Sequence, residues 1–101
     1  TIPKRQHNST HVFHQYTLMV KPELRGALID FLRENKIPVM IYYPIPLYKQ
    51  EAFSNYVNSD FEIPNVEQLC CSVFSLPIHT EIESSSQEYI IQKVKEFFKK
   101  S

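Results

Sequence analysis

His11-Val-Phe-His-Gln-Tyr-Thr-Leu-Met-Val20, followed at once by Lys21-Pro22-Glu-Leu-Arg-Gly-Ala-Leu-Ile-Asp-Phe-Leu-Arg-Glu34, is the stretch on which the fold turns. In its first half Val12, His14, Tyr16, Leu18 and Val20 recur at every second position, which predicts a strand with one mostly apolar face. Pro22 then suits the first turn of a helix, where a missing N–H costs nothing. In the second half the period changes: Leu24, Ala27, Leu28, Phe31 and Leu32 recur at spacings of three and four and form one stripe. Gly26 falls on the polar side of that helix, and Pro38 prevents the helix from continuing past Asn35 and Lys36.

Working outward, Val39 to Tyr43 predicts a second strand, apolar enough to be buried on both faces. It runs into Pro44-Ile45-Pro46, stiff and lacking two N–H donors. Residues 47–62 show little periodicity beyond a short helix from Glu51 to Tyr56. Asn65 with Gln68 makes a capping pair ahead of Val66, Leu69, Cys70 and Val73 at helical spacing, while Ser72 to Leu76 alternatively reads as a strand ended by Pro77. Ser85-Ser86-Gln87-Glu88 is a capping box opening a last helix with Ile90, Ile91, Val94, Phe97 and Phe98 on one stripe. Its terminal lysines meet the negative end of the helix dipole. Strand and helix alternate in an order that predicts an α+β fold, a small sheet with helices packed on one face. Residues 1–10 read as a leader or severed linker, and residues 11–101 as the domain proper.

Composition sets outer bounds. At 101 residues there is one domain, with an expected folded surface of about 6,000 Å². Eleven basic and eleven acidic residues leave no field favouring nucleic acid or an anionic membrane. No run approaches 18 apolar residues, so no membrane span is expected, and the polar opening Thr1-Ile-Pro-Lys-Arg-Gln-His7 is no secretory leader. The two cysteines, Cys70 and Cys71, are adjacent, which disfavours a disulfide between them and fits reduced, buried thiols in a cytosolic protein. A single glycine, Gly26, excludes a glycine-rich phosphate loop.

For chemistry, His11 and His14 stand three apart, and on a strand they point to opposite faces and cannot chelate one ion. Cys70-Cys71 with His79 lacks zinc-site spacing, so no metal is expected. No Gly-x-Ser-x-Gly elbow marks a serine nucleophile. Arg25, Arg33 and the terminal lysines read as solvated helix faces. The unusual segment is Tyr42-Tyr43-Pro44-Ile45-Pro46-Leu47-Tyr48-Lys49-Gln50. It is either a rigid connector covering the edge of the core, or a proline-fixed loop holding phenols at the rim of a pocket.

His11-Val-Phe-His-Gln-Tyr, the helix from Leu24 to Lys36, Tyr42-Tyr-Pro-Ile-Pro-Leu-Tyr-Lys-Gln and Ser75-Leu-Pro-Ile-His together resemble the C-terminal segment of DegT-type nucleotide-sugar aminotransferases, over roughly residues 8–98. The resemblance implies the C-terminal small domain of a fold-type I transaminase. Such enzymes use pyridoxal phosphate to move an amino group from glutamate to a nucleotide-linked keto-sugar, and they are cytoplasmic homodimers. It implies that the large domain, with the Schiff-base lysine, lies outside these residues, so the chain alone is expected to bind no cofactor and to be inactive. Carried over by position, Tyr43 matches the aromatic of the family's His-Tyr-Pro string. Tyr42 and Tyr48 stand where many members have histidine, and His14 and Gln15 match the strand motif. Tyr42, Tyr43, Tyr48 and His14 are thus the expected substrate-binding residues, acting by orientation while the chemistry belongs to the cofactor. The residues alone also permit a free-standing α+β ligand-binding or regulatory module, or a small hydrolase using Cys71 or a serine.

Overall fold

Pro22 does open a helix. A computed structural model describes residues 1–58 and 60–100, in the order strand β1 (Tyr16–Met19), helix α1 (Pro22–Glu34), two 3-10 turns (Leu47–Lys49 and Glu51–Phe53), helix α2 (Pro64–Ser72), strand β2 (Val73–Leu76) and helix α3 (Ser84–Lys100). β1 and β2 pair antiparallel, with Tyr16 opposite Leu76 and Leu18 opposite Phe74. The period-two face of β1 carries Tyr16, Leu18 and Val20 onto a core built from Leu28, Ile29, Leu32, Ile37, Val39 and Phe74. Ile90, Val94 and Phe97 of α3 close that core from the same side, with Phe97 meeting Phe31 of α1 at 5.7 Å between ring centroids. The architecture is α+β with the helices over one sheet face, as the alternation of periods predicts.

α1 ends in a Schellman-type cap. Lys36 takes a left-handed conformation (φ 61), and the Ile37 and Lys36 N–H groups donate back to Leu32 O and Arg33 O, both at 2.9 Å. Asn35 adds its side-chain amide to Phe31 O at 2.8 Å. Leu32 and Ile37, both buried, make the apolar contact that accompanies this motif. This cap ends α1 ahead of Pro38, and Val39 just beyond the turn lies in the core.

Several expectations are corrected. The strand predicted over 11–20 is confined to Tyr16–Met19, because Phe13 sits at φ 49 and turns the backbone out of extension, leaving Val12 exposed. The strand predicted over 39–43 reduces to a single antiparallel bridge between Met40 and Ser75. It is not buried on both faces: Val39 is buried and Met40 is exposed. The helix expected from Glu51 to Tyr56 is only the short 3-10 turns. Pro64, not Asn65, is the first residue of α2, whose start has no side-chain cap. α3 begins at Ser84, one residue ahead of the predicted box, and the Ser85 hydroxyl turns back to Glu83 Oε2 at 3.4 Å. On α1, Ala27 is exposed and Ile29 takes its place in the core. Arg25 and Arg33 are not merely solvated: Arg25 donates to the Cys70 carbonyl, tying α1 to α2, and Arg33 donates to Val39 O at 3.4 Å. Of the two free thiols, Cys70 is buried but Cys71 is exposed.

The accessible surface is 8139 Å², well above the roughly 6,000 Å² of a compact chain of this mass. The radius of gyration, 16.1 Å, likewise exceeds the roughly 13 Å of a compact chain of this length. Of residues 41–58 and 60–63, all but Pro46 are exposed or half-buried. At the opposite edge Thr1 lies against β1, its backbone nitrogen donating to Met19 O at 2.6 Å and its carbonyl accepting from Met19 N–H at 3.0 Å.

Candidate functional site

The segment singled out by its tyrosines is held at both ends by one unit, α2 with β2. At the near end Met40 exchanges two backbone hydrogen bonds with Ser75, at 2.8 and 3.3 Å. Beyond it Ile41 packs onto the core, Tyr42 is half-buried and Tyr43 is exposed. The Tyr42–Tyr43 peptide is cis, and the two rings meet edge to face at 5.6 Å. Pro46 is buried and precedes the first 3-10 turn, accepting from Lys49 N–H at 2.9 Å.

At the far end three polar groups converge. The Tyr48 hydroxyl donates to Glu67 Oε1 at 2.6 Å and accepts the Ile63 N–H at 3.0 Å. Lys49 Nζ meets the same Glu67 oxygen at 2.7 Å. Phe61 stands edge-on to the Tyr48 ring at 5.2 Å. The ion pair with Lys49, then the bond from Tyr48, holds the Glu67 carboxyl below its usual range. Desolvation and the bond to the carboxylate push the Tyr48 phenol up, and Glu67 raises Lys49.

Tyr42 stands between two hollows. One, about 240 Å³, is lined by His14, Gln15, Met40, Tyr42 and Ser75 with Pro77 beside them. No carboxylate and no permanent cation lines it, so it offers neutral hydrogen-bond donors and acceptors over an apolar floor. Ser75 is braced from behind by Thr17, oxygen to oxygen at 2.9 Å. The other hollow, about 270 Å³, is apolar, with Tyr43, Ile45, Leu47 and Leu69 on its walls. Of the four expected residues, His14 and Tyr42 therefore share a hollow and Tyr43 adjoins it across Tyr42. Tyr48 lines neither, its hydroxyl being engaged by Glu67 and Ile63. Sequence reasoning missed Glu67, Met40 and Ser75. Glu67 carries no local signal, because its partners lie 18 and 19 residues back along the chain.

Another hollow, about 670 Å³, lies elsewhere, between the end of α1 and the start of α3. Lys36, His79, Glu81, Glu83 and Tyr89 line it, and the Tyr89 hydroxyl donates to Asn35 O at 3.2 Å. His11 does not lie on a strand, so the opposite-face argument does not apply to it. Its Nδ1 instead accepts the Phe13 N–H at 3.0 Å and its ring stacks on Phe13. Among the described residues there is no group of three or more side chains placed to hold a metal, and no helix long and apolar enough to cross a membrane.

Against known proteins, residues 1–95 match the DegT/DnrJ/EryC1/StrS aminotransferase family. The pleiotropic regulatory protein of Geobacillus stearothermophilus is 35% identical over 96% of this chain and 26% of its own length. The dTDP-3-amino-3,6-dideoxy-alpha-D-galactopyranose transaminase of Aneurinibacillus thermoaerophilus is 32% identical over 95% of this chain and 25% of its own. The crystal structure of a DegT/DnrJ/EryC1/StrS aminotransferase from Brucella abortus superposes with a TM-score of 0.84 at 29% identity, covering 95% of this chain and 25% of that one. The chain thus spans about a quarter of the length of the relatives it matches.

Proposed function

The chain belongs to the DegT/DnrJ/EryC1/StrS aminotransferase family, and from that premise we propose that it is the C-terminal small domain of a pyridoxal-phosphate-dependent sugar aminotransferase. The full enzyme moves an amino group from glutamate to a keto-sugar carried on a nucleotide, as a cytoplasmic homodimer, and this domain covers the substrate side of the cleft. The observation that carries the reading is a match along almost the whole chain to proteins about four times its length.

Pyridoxal phosphate supplies the electron sink for amino transfer. Lys49 and Lys93 are paired with Glu67 and Glu96 and held more basic than usual, the reverse of what imine formation asks of an amine. Gly26 lies exposed on α1, so no glycine-rich loop cradles a phosphate. Both features support placing the cofactor on polypeptide beyond these residues. What this chain contributes is orientation. His14 and Tyr42 present an imidazole and a phenol to one neutral hollow, which suits the hydroxyls of a sugar ring, and Tyr43 flanks it. Tyr48 serves the same site by fixing the loop.

The test compares the complete polypeptide with the 101-residue chain. The complete polypeptide, loaded with pyridoxal phosphate, is expected to aminate a nucleotide-linked keto-sugar with glutamate as donor. The chain alone is expected to show neither cofactor absorbance at the edge of the visible nor amino transfer. Covalent uptake of the cofactor by the chain alone would overturn this division of labour. A thermal shift of the chain with an amino acid and none with nucleotide sugars would instead indicate a free-standing binding or regulatory module.

A further inference from the structure

The loop bearing Tyr42 and Tyr43 has few soft torsions of its own. Pro44 and Pro46 each fix φ, and between them lies only Ile45. Where the tyrosines sit therefore depends on how the two ends of the loop are held. The near end is secured by backbone pairing of Met40 with Ser75, which tolerates most side-chain changes. The far end is secured through a side chain. Glu67 Oε1 receives both the Tyr48 hydroxyl at 2.6 Å and the Lys49 ammonium at 2.7 Å, and the engaged hydroxyl in turn accepts Ile63 N–H at 3.0 Å. Ile63 is the N-cap residue just ahead of Pro64, so one carboxylate joins the 3-10 turn, the entry to α2 and α2 itself.

We propose that Glu67 is a positioning residue for the sugar-facing site. It does not touch substrate; through Tyr48 and Lys49 it holds the Pro44–Gln50 arm against α2 and so fixes Tyr42 and Tyr43 at the two hollows. The inference rests on the sugar-aminotransferase reading above. It assigns a specific consequence to Glu67: loss of the clamp frees the arm at one end only, so substrate orientation suffers while the remote amino-transfer chemistry does not.

The experiment uses the complete, cofactor-loaded polypeptide carrying Glu67→Ala or Glu67→Gln. Glutamine keeps a carbonyl acceptor for the Tyr48 hydroxyl but surrenders the charge that holds Lys49. For Glu67→Ala the expected result is a KM for the nucleotide sugar raised about tenfold, with kcat and the KM for glutamate within about twofold of the parent. Glu67→Gln should recover most of that loss. In the 101-residue chain, an ultraviolet titration should show one high-titrating tyrosine whose pKa falls in Glu67→Gln, confirming the contact independently of catalysis. If the enzyme transfers amino groups but both variants keep the parental KM and merely melt earlier, Glu67 is a structural residue and the inference fails. If the parent enzyme transfers no amino group at all, the function proposed above fails, while the titration still decides whether the clamp exists.

Discussion

Two regions of this chain are rich in apolar side chains and use them in opposite ways. In α1, Leu28 and Leu32 are wholly buried, and Phe74 opposite them is 2% exposed. In the arm that follows Met40, Tyr43 is 66%, Ile45 51% and Leu47 63% exposed. The contrast is one of backbone geometry. A 3.6-residue period lines up α1's side chains on the side where β1 and β2 present Leu18 and Phe74, so each finds a complementary surface. Two prolines in three residues remove N–H donors and prevent the arm from pairing as a strand, so its side chains have no sheet face to share. The core stabilises this chain; the arm's apolar surface has no counterpart within it. The surplus of accessible surface over a compact chain, about 2,000 Å², exceeds the roughly 800 Å² that each partner contributes to a standard protein interface.

The sharpest way to break that comparison is to truncate one leucine in each region. Leu32→Ala is expected to cost about 2–5 kcal/mol, a large fraction of the stability of a domain this size. Leu47→Ala should stay within about 0.5 kcal/mol. Urea melts of the two variants decide the point, and equal losses would mean that the arm is part of the core. A smaller effect concerns association. At high concentration the chain should self-associate through its uncovered apolar arm, and Ile45→Ser with Leu47→Ser should weaken that association about tenfold, or about 1.4 kcal/mol, by light scattering. A strictly monomeric parent at millimolar concentration would leave the surplus surface without the proposed meaning.

How much of this was legible depended on whether the signal was local. The period change at Pro22 located β1 and α1, and the stripe from Ile90 to Phe97 located α3, because both patterns repeat within one element. The limits of those elements were less visible. Nothing in the order of residues announces that Phe13 adopts φ 49, and the predicted ten-residue strand shrinks to the four residues Tyr16–Met19. Val39 to Tyr43 reads as a buried strand because its residues are apolar, yet only Met40 finds a partner, Ser75. For the site, the tyrosines were conspicuous as a cluster beside two prolines. Glu67 was not, since its link to Tyr48 and Lys49 exists only after the chain has doubled back. The motif alone does not rank the four expected residues, whereas the fold gives His14 and Tyr42 a common hollow and sends Tyr48 to a carboxylate.

Lys36 sharpens the description of the core from a different side. It holds the left-handed position of the α1 cap, where glycine has no Cβ penalty, and it is exposed. Lys36→Gly should therefore stabilise the chain by about 0.5–1 kcal/mol, visible as a melting temperature a few degrees higher. The same substitution at Lys49, which sits in the arm and is paired with Glu67, should not stabilise. A loss at Lys36 would show that its side chain does more at the mouth of the 670 Å³ hollow than the backbone asks.

The smallest expected effect is acid sensitivity, and it separates the two regions by location. Glu96 lies between Lys93 and Lys100 on α3, at 2.9 and 2.5 Å. The bonds from Lys100 and then Lys93 lower its carboxyl from 4.5 to about 2. A carboxyl depressed in the folded state contributes stability that is fully present above the unfolded value of 4.5 and is lost as the pH falls toward about 2. Glu67 is shifted in the same direction, so its contribution too fades on acidification below 4.5, but there the released groups are Tyr48 and Lys49. Amide exchange followed from pH 6 to pH 2 should therefore show two responses. Glu96→Gln should flatten the acid response at the end of α3 and leave the arm unchanged. Glu67→Gln should flatten it at Ile63, whose N–H the Tyr48 hydroxyl accepts, and leave α3 unchanged. A single response spread evenly over both would mean that acid unfolds the chain as one unit, with the arm no more separable than the core.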